Sequence, residues 1–219
     1  MVARLLRNRR FRKSTSFLIA IITCSSTSST SLGAATTKQT VGQHSRMDKK
    51  IEASNRDKVY RRVAKLLKPL GYVRTKTTFF TQASDHFVRF VHLHKFTFAP
   101  AFRVHLGIRV LNDEFVAPAL NGPDSDPYAC PNSPNGKKYH FDFHKSDDSV
   151  EKCAQNIAQW CAEVRMPWFD RFSSIDSLLN ADDSPLDDTL RMRLRDSLAG
   201  RCESTTVERS LSLLGVAQH

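Results

Sequence analysis

Six of the eight histidines of this 219-residue chain fall in two short stretches, HFVRFVHLHKFTFAPAFRVHLGIRV from His86 to Val110 and KKYHFDFHK from Lys137 to Lys145. On a β-strand, side chains at i and i+2 leave one face ~6.6 Å apart. His92 and His94 can therefore share an ion if a neighbouring strand supplies a third nitrogen. A tight antiparallel register sets His105 opposite His92, with His94 on the diagonal. Three imidazoles are a zinc-ligand set, so His92, His94 and His105 are the candidate metal site and zinc its cofactor. His140 and His144 lie four apart, ~13 Å along a strand, too far to share an ion.

The same strands carry a second chemistry. Arg103, His105, Arg109, Lys138 and His140 come from adjacent strands, and a sheet displays such residues as a flat basic patch suited to an acidic or phosphorylated protein or ligand. Arg103 and Arg109 are six apart, ~20 Å, and bracket the patch rather than touch. Arg89 joins them only if the even-numbered face of its strand points inward. No glycine-rich phosphate loop, GxSxG, HExxH or coherent Ser/His/Asp order occurs. No CxxC pair exists among the five cysteines, and Cys153 and Cys161 are too far apart on one helix to bridge, so free thiols are expected.

The elements that must position these residues follow from periodicity. Val59, Val63, Leu66, Leu67 and Leu70 form a helical stripe, ended by Pro69 and Gly71. YVRTKTTFFTQ reads as a hairpin turning near Thr75 and Lys76. His86–Lys95 and Ala101–Val110 are the next strands. In the second, Phe102, Val104, Leu106, Ile108 and Val110 share one face. In the first, Phe87, Val91 and Leu93 form the stronger apolar face. After a turn-rich insertion from Asn121 to Gly136, KKYHFDFHK is a last strand with Tyr139, Phe141 and Phe143 inward. Ser146 to Ser149 cap a helix whose stripe is Val150, Ala154, Ile157, Cys161 and Val164. A second short helix opens on Pro167, and Trp160, Trp168 and Phe169 belong to the core. The predicted fold is α+β: an antiparallel sheet of four to five strands, helices packed on one face, and a helical C-terminal extension.

LLKPLGYVRTKTTFFTQ, FVRFVHLHKF, FRVHLGI and MPWFDRF together resemble the bacterial family called domain of unknown function 4304. Its Gly-Phe/Tyr sheet start, Phe-rich strand, F-x-V-x-L-G strand and late P-W-F fall here at Gly71-Tyr72, Phe79-Phe80, Phe102 to Gly107 and Pro167 to Phe169. The resemblance covers residues 60–180. His94 stands where the family usually has Gln. The resemblance implies a compact α+β domain and assigns no activity and no catalytic residue.

Charge qualifies the binding reading. The net charge is +11, but residues 1–46 hold eight Lys/Arg and no acid, leaving +3 for the rest. Residues 47–110 carry 14 basic and 4 acidic side chains, and residues 111–219 carry 11 and 18. The two halves thus complement each other's fields, and a high pI is no argument for nucleic acid. Residues 1–46 read as a leader, either dispensable ahead of a start at Met47 in a cytoplasmic protein, or a signal peptide of an exported one. The apolar run from Phe17 to Cys24 is too short to span a bilayer, and the Ser/Thr-rich residues 25–46 are expected to be disordered. Residues 47–180 form the domain and residues 181–219 a peripheral helical extension. The expected function is a non-catalytic binding or interaction module using the basic sheet face. The alternative is a metal-assisted hydrolase built on the histidine cluster.

Overall fold

Strand-forming Phe, Val and Thr alternate through the centre of the chain, and there the backbone pairs into one antiparallel sheet. A computed structural model describes residues 38–125 and 139–217, with side chains from Asp48 onward. Most of the leader, Cys24, Cys130 and Lys138 lie outside the described residues. Backbone contacts divide the chain after Gln39, and the side chains discussed below belong to the unit Thr40–His219.

The sheet order is β1 (Val73–Arg74), β2 (Phe79–Ala83), β3 (Phe87–Lys95), β4 (Phe102–Val110), each antiparallel to the next. Helix α1 (Lys38–Leu67) precedes it, closed by a 3-10 turn at Lys68–Leu70 and by Gly71 in the left-handed region at φ 79°. After the sheet come α2 (Asp147–Trp160), α3 (Met166–Arg171), α4 (Ile175–Asn180), α5 (Asp188–Leu198) and α6 (Ser204–Leu214). The fold class is the α+β one expected, with helices at the C-terminus.

The main core lies on the face of Phe87, Val91 and Leu93 from β3 and Phe102, Val104, Leu106, Ile108 and Val110 from β4. Helix α1 adds Val59, Val63 and Leu67, and α2 adds Val150, Ala154 and Ile157. Leu66, expected on the α1 stripe, is exposed instead. Ser146 caps α2, accepting a hydrogen bond from the Ser149 N–H. Trp160 and Phe169 are buried and Trp168 packs against the core.

Four expectations need correction. The backbone of α1 is already helical at Lys38, inside the segment read as a disordered leader, because a packed helix extends cheaply once nucleated. KKYHFDFHK does not form a full strand. Asp142 makes one bridge to Ala101, and residues 121–125 occupy the adjoining edge of β4 through the bridge of Asp124 to His105 and the bond of the Ser125 N–H to the Val104 carbonyl. Two segments share that edge, so neither can run along it. Tyr139, Phe141 and Phe143 are nonetheless buried as expected. Pro167 does not open a separate helix: α2 runs through a π turn at Cys161–Arg165 into α3. The wider turn relieves the clash a proline ring makes with the carbonyl four residues back. It also adds a residue to the period, so the inward position passes from Val164, which is half-buried, to Arg165, which is buried.

The C-terminal helices are not peripheral. Leu186 and Leu194 enter the main core. Helix α6 lies on the opposite face of the sheet, where Leu214 forms a second core with Val88, Phe90 and Leu111, flanked by Phe79, Val207 and Leu211. The β1–β2 turn pins its end: Thr75 Oγ1 donates to the Leu214 carbonyl at 2.5 Å and Lys76 Nζ to the Leu213 carbonyl at 2.9 Å. Among the described residues no helix is long and apolar enough to cross a membrane.

Candidate functional site

The register of β3 against β4 sets Val88 opposite Arg109, Phe90 opposite Gly107, His92 opposite His105 and His94 opposite Arg103. This is the pairing the spacing predicts for the imidazoles. All eight residues lie on the second face. At one end, α6 covers Val88 and Phe90. Toward the other end, His94 is exposed, and Phe98 just beyond the strand is 73% exposed.

That end carries a continuous series of ring contacts. Phe79 stacks on His92 with centroids 4.4 Å apart, and His92 stacks on His105 at 5.9 Å. His94 sits 6.3 Å from His92 and 6.4 Å from His105, and touches Phe96 edge-on at 5.9 Å. Phe96 meets Phe98 at 5.1 Å. Beside the rings, Arg103 pairs with Asp124 at 2.6 Å, and His105 Nδ1 is 3.8 Å from the same carboxylate. Burial, and then the neighbouring His105 and His94, pull the His92 imidazole down from about 6.5 to about 4. Burial also lowers His105, against the pull of Asp124. Both rings are therefore neutral near pH 7, and the Nδ1 atom of His92 is buried with no hydrogen-bond partner among the described residues. The three rings come close together, yet among the described residues no group of three or more His, Cys, Asp or Glu side chains is arranged to hold a metal ion.

The predicted basic patch does not assemble as drawn. Arg109 is 1% exposed. It pairs with Asp113 at 3.1 Å and donates to Ser210 Oγ and to the carbonyls of Asp113, Phe115 and Ala117. The reason is α6, whose Ser210 covers the face that strand alternation alone leaves open. His140 is exposed, but its segment meets the sheet at a single bridge, and Lys138 lies outside the described residues. Arg89 sits on the core face, where Nη2 donates to the Ser173 carbonyl at 3.1 Å. Of the expected binding residues, Arg103 and His105 alone are brought together, with Asp124 between them.

Sequence reasoning missed Phe79 and Phe96 as members of this face, and Asp124 as its acid. Phe79 carried a signal in hindsight, since hairpin register projects it beside His92. Asp124 carried none, because no periodicity governs a turn-rich insertion. Arg165 was missed for the same kind of reason: a π turn leaves no mark in a 3.6-residue pattern.

The chain matches none of the family models, curated proteins or solved structures compared with it. The resemblance to the domain of unknown function 4304 rests on its short motifs.

Proposed function

We propose that the protein is a non-catalytic binding module whose working surface is the open end of the second sheet face, formed by exposed His94 and Phe98 with half-buried His92, Phe96 and Arg103, over buried His105. The partner is an acidic or phosphorylated peptide segment carrying an aromatic residue. One observation carries this reading: an uninterrupted series of rings ends in a largely exposed phenylalanine, and the arginine opposite His94 in that series already holds a carboxylate. Aromatic and arginine side chains are the enriched anchors of protein interfaces. Asp124 holds Arg103 as a partner's carboxylate or phosphate would.

An array of acidic, phosphorylated and neutral peptides, probed with the full chain and with Arg103→Glu and Phe98→Ser variants, tests it. The wild type is expected to retain acidic or phosphorylated peptides with an aromatic residue, more weakly as salt rises. Each variant is expected to lose at least about tenfold in affinity. Indifference to charge, or equal binding by the variants, defeats the proposal. The alternative, a metal-assisted hydrolase on His92, His94 and His105, has the three rings close together but no metal-holding arrangement among the described residues. Stoichiometric zinc, lost in a His92→Ala/His94→Ala double variant, would put that reading first.

A further inference from the structure

Arg165 is 2% exposed, and no carboxylate pairs with it among the described residues. Its guanidinium lies 4.0 Å over the Tyr72 ring and 5.8 Å from the Phe169 centroid, and Nη2 contacts Met166 Sδ at 2.8 Å. Nε and Nη1 are buried with no hydrogen-bond partner among the described residues. A buried cation with no ion pair among the described residues, and with two donors unmet there, is a costly arrangement in a protein interior. Asp170, whose charge acts on the same Tyr72, is exposed. Stacking on Tyr72 offsets part of that but satisfies no N–H.

A second arginine reaches the same Phe169 ring. The Arg89 guanidinium is also 5.8 Å from the Phe169 centroid, and its Nε is likewise buried with no partner among the described residues. The sheet explains why they meet. Gln82 pairs with Arg89 across β2 and β3, and one residue beyond the Val73–Thr81 pair the register brings Tyr72 level with Gln82. Tyr72, Gln82 and Arg89 thus form a polar row on the core face, and the π turn presents Arg165 to it from α2. Gly71, Asp170 and Ser173 around the cluster are exposed, so it lies just beneath the surface.

We infer that Arg89 and Arg165, with Tyr72 between the helix and the sheet, form a site for a small oxyanion, either a phosphoryl group or a carboxylate. Three unmet guanidinium donors and two positive charges match an acceptor-only anion, and planar guanidinium groups suit both candidate ligands. This site lies on the sheet face opposite the peptide surface and does not depend on that reading.

Thermal unfolding of the full chain in inorganic phosphate, acetate and chloride at matched ionic strength tests the inference. A ligand bound only by the folded state raises the midpoint with its concentration. The midpoint is expected to rise with phosphate or acetate over the chloride control, and the more effective anion identifies the ligand class. Arg165→Met and Arg89→Met should each weaken that response at least about tenfold in apparent affinity. Lys65→Glu, on the exposed side of α1, should leave it unchanged. If neither anion acts beyond chloride on the wild type, the inference fails, whatever the variants do. It fails equally if folded Arg165→Met and Arg89→Met respond as the wild type does.

Discussion

A guanidinium cut off from water must find its partners inside the protein, and Arg109 does. Its bonds join β4 to Asp113, to the carbonyls of Phe115 and Ala117, and to Ser210 of α6. Arg109→Ala strands the Asp113 carboxylate, which is itself buried, and is expected to cost about 3–5 kcal/mol. Arg103→Ala, on the same face but part-exposed and paired with part-exposed Asp124, is expected to cost under about 1 kcal/mol. Urea titrations of the two variants check the order, and equal losses would contradict the assignment of Arg109 as an internal hub. His92 sets a pH dependence. Its folded pKa is depressed to about 4, so below about 6.5 the unfolded chain binds a proton that the folded chain refuses. The stability contributed by the neutral ring is therefore present above pH 6.5 and lost as pH falls through the window down to about 4. His105 titrates in the same sense. The partner groups facing His92 are His94, His105 and Phe79, with Asp124 and Arg103 acting through His105. After allowance for solvent screening of a half-buried ring, the loss is about 1–2 kcal/mol. His92→Phe should flatten the stability profile over that window, and an unchanged slope would move the acid sensitivity to the carboxylates.

Elements carry the next level of constraint. Gly107 is a point of close approach between β4, β3 and the loop after β4. A Cβ there would lie 2.3 Å from Phe90 Cζ and 2.9 Å from the Ala119 carbonyl oxygen. The phenyl ring can turn, but the backbone oxygen cannot easily withdraw, so Gly107→Ala is expected to destabilise by about 1–3 kcal/mol. A denaturant midpoint unchanged by the substitution would mean that the loop yields freely. The strands themselves were legible in the sequence. Clean alternation in β4 named Phe102, Leu106 and Val110 as core, and the shared spacing of imidazoles predicted His92 opposite His105. Helix α6 was not legible in its placement. Its stripe of Val207, Leu211 and Leu214 says that it packs, but amphipathicity carries no address. That missing address is why Arg109 reads as an exposed binding residue in the sequence and is buried in the fold. Arg165 escaped notice because a π turn shifts the helical phase by a residue without any change in composition.

At the scale of the whole molecule, charge separation along the chain becomes charge pairing in space. The basic first half meets the acidic second half through Lys58 with Asp147, Arg62 with Glu151, Arg103 with Asp124 and Arg109 with Asp113. The first three pairs are solvent-reached on both sides and the last is buried. Exposed pairs lose Coulomb energy to water and entropy to the ordering of long side chains, so each contributes about 0–1 kcal/mol. Salt screens them within a Debye length of about 10 Å at 0.1 M, but it does not reach a pair with no solvent beside it. The fold is therefore held by its two apolar cores and by the interior bonds of Arg109, not by the charge asymmetry. Raising sodium chloride from 0.05 to 0.5 M is expected to change the unfolding free energy by under about 1 kcal/mol in urea titrations of the full chain. The Arg109→Ala loss should be the same at both concentrations. A salt-induced drop of several kcal/mol would show that the two halves are held together by their opposing fields. The Arg103–Asp124 pair on the proposed binding face would then be part of the fold's support rather than a contact free to exchange for a partner's acid.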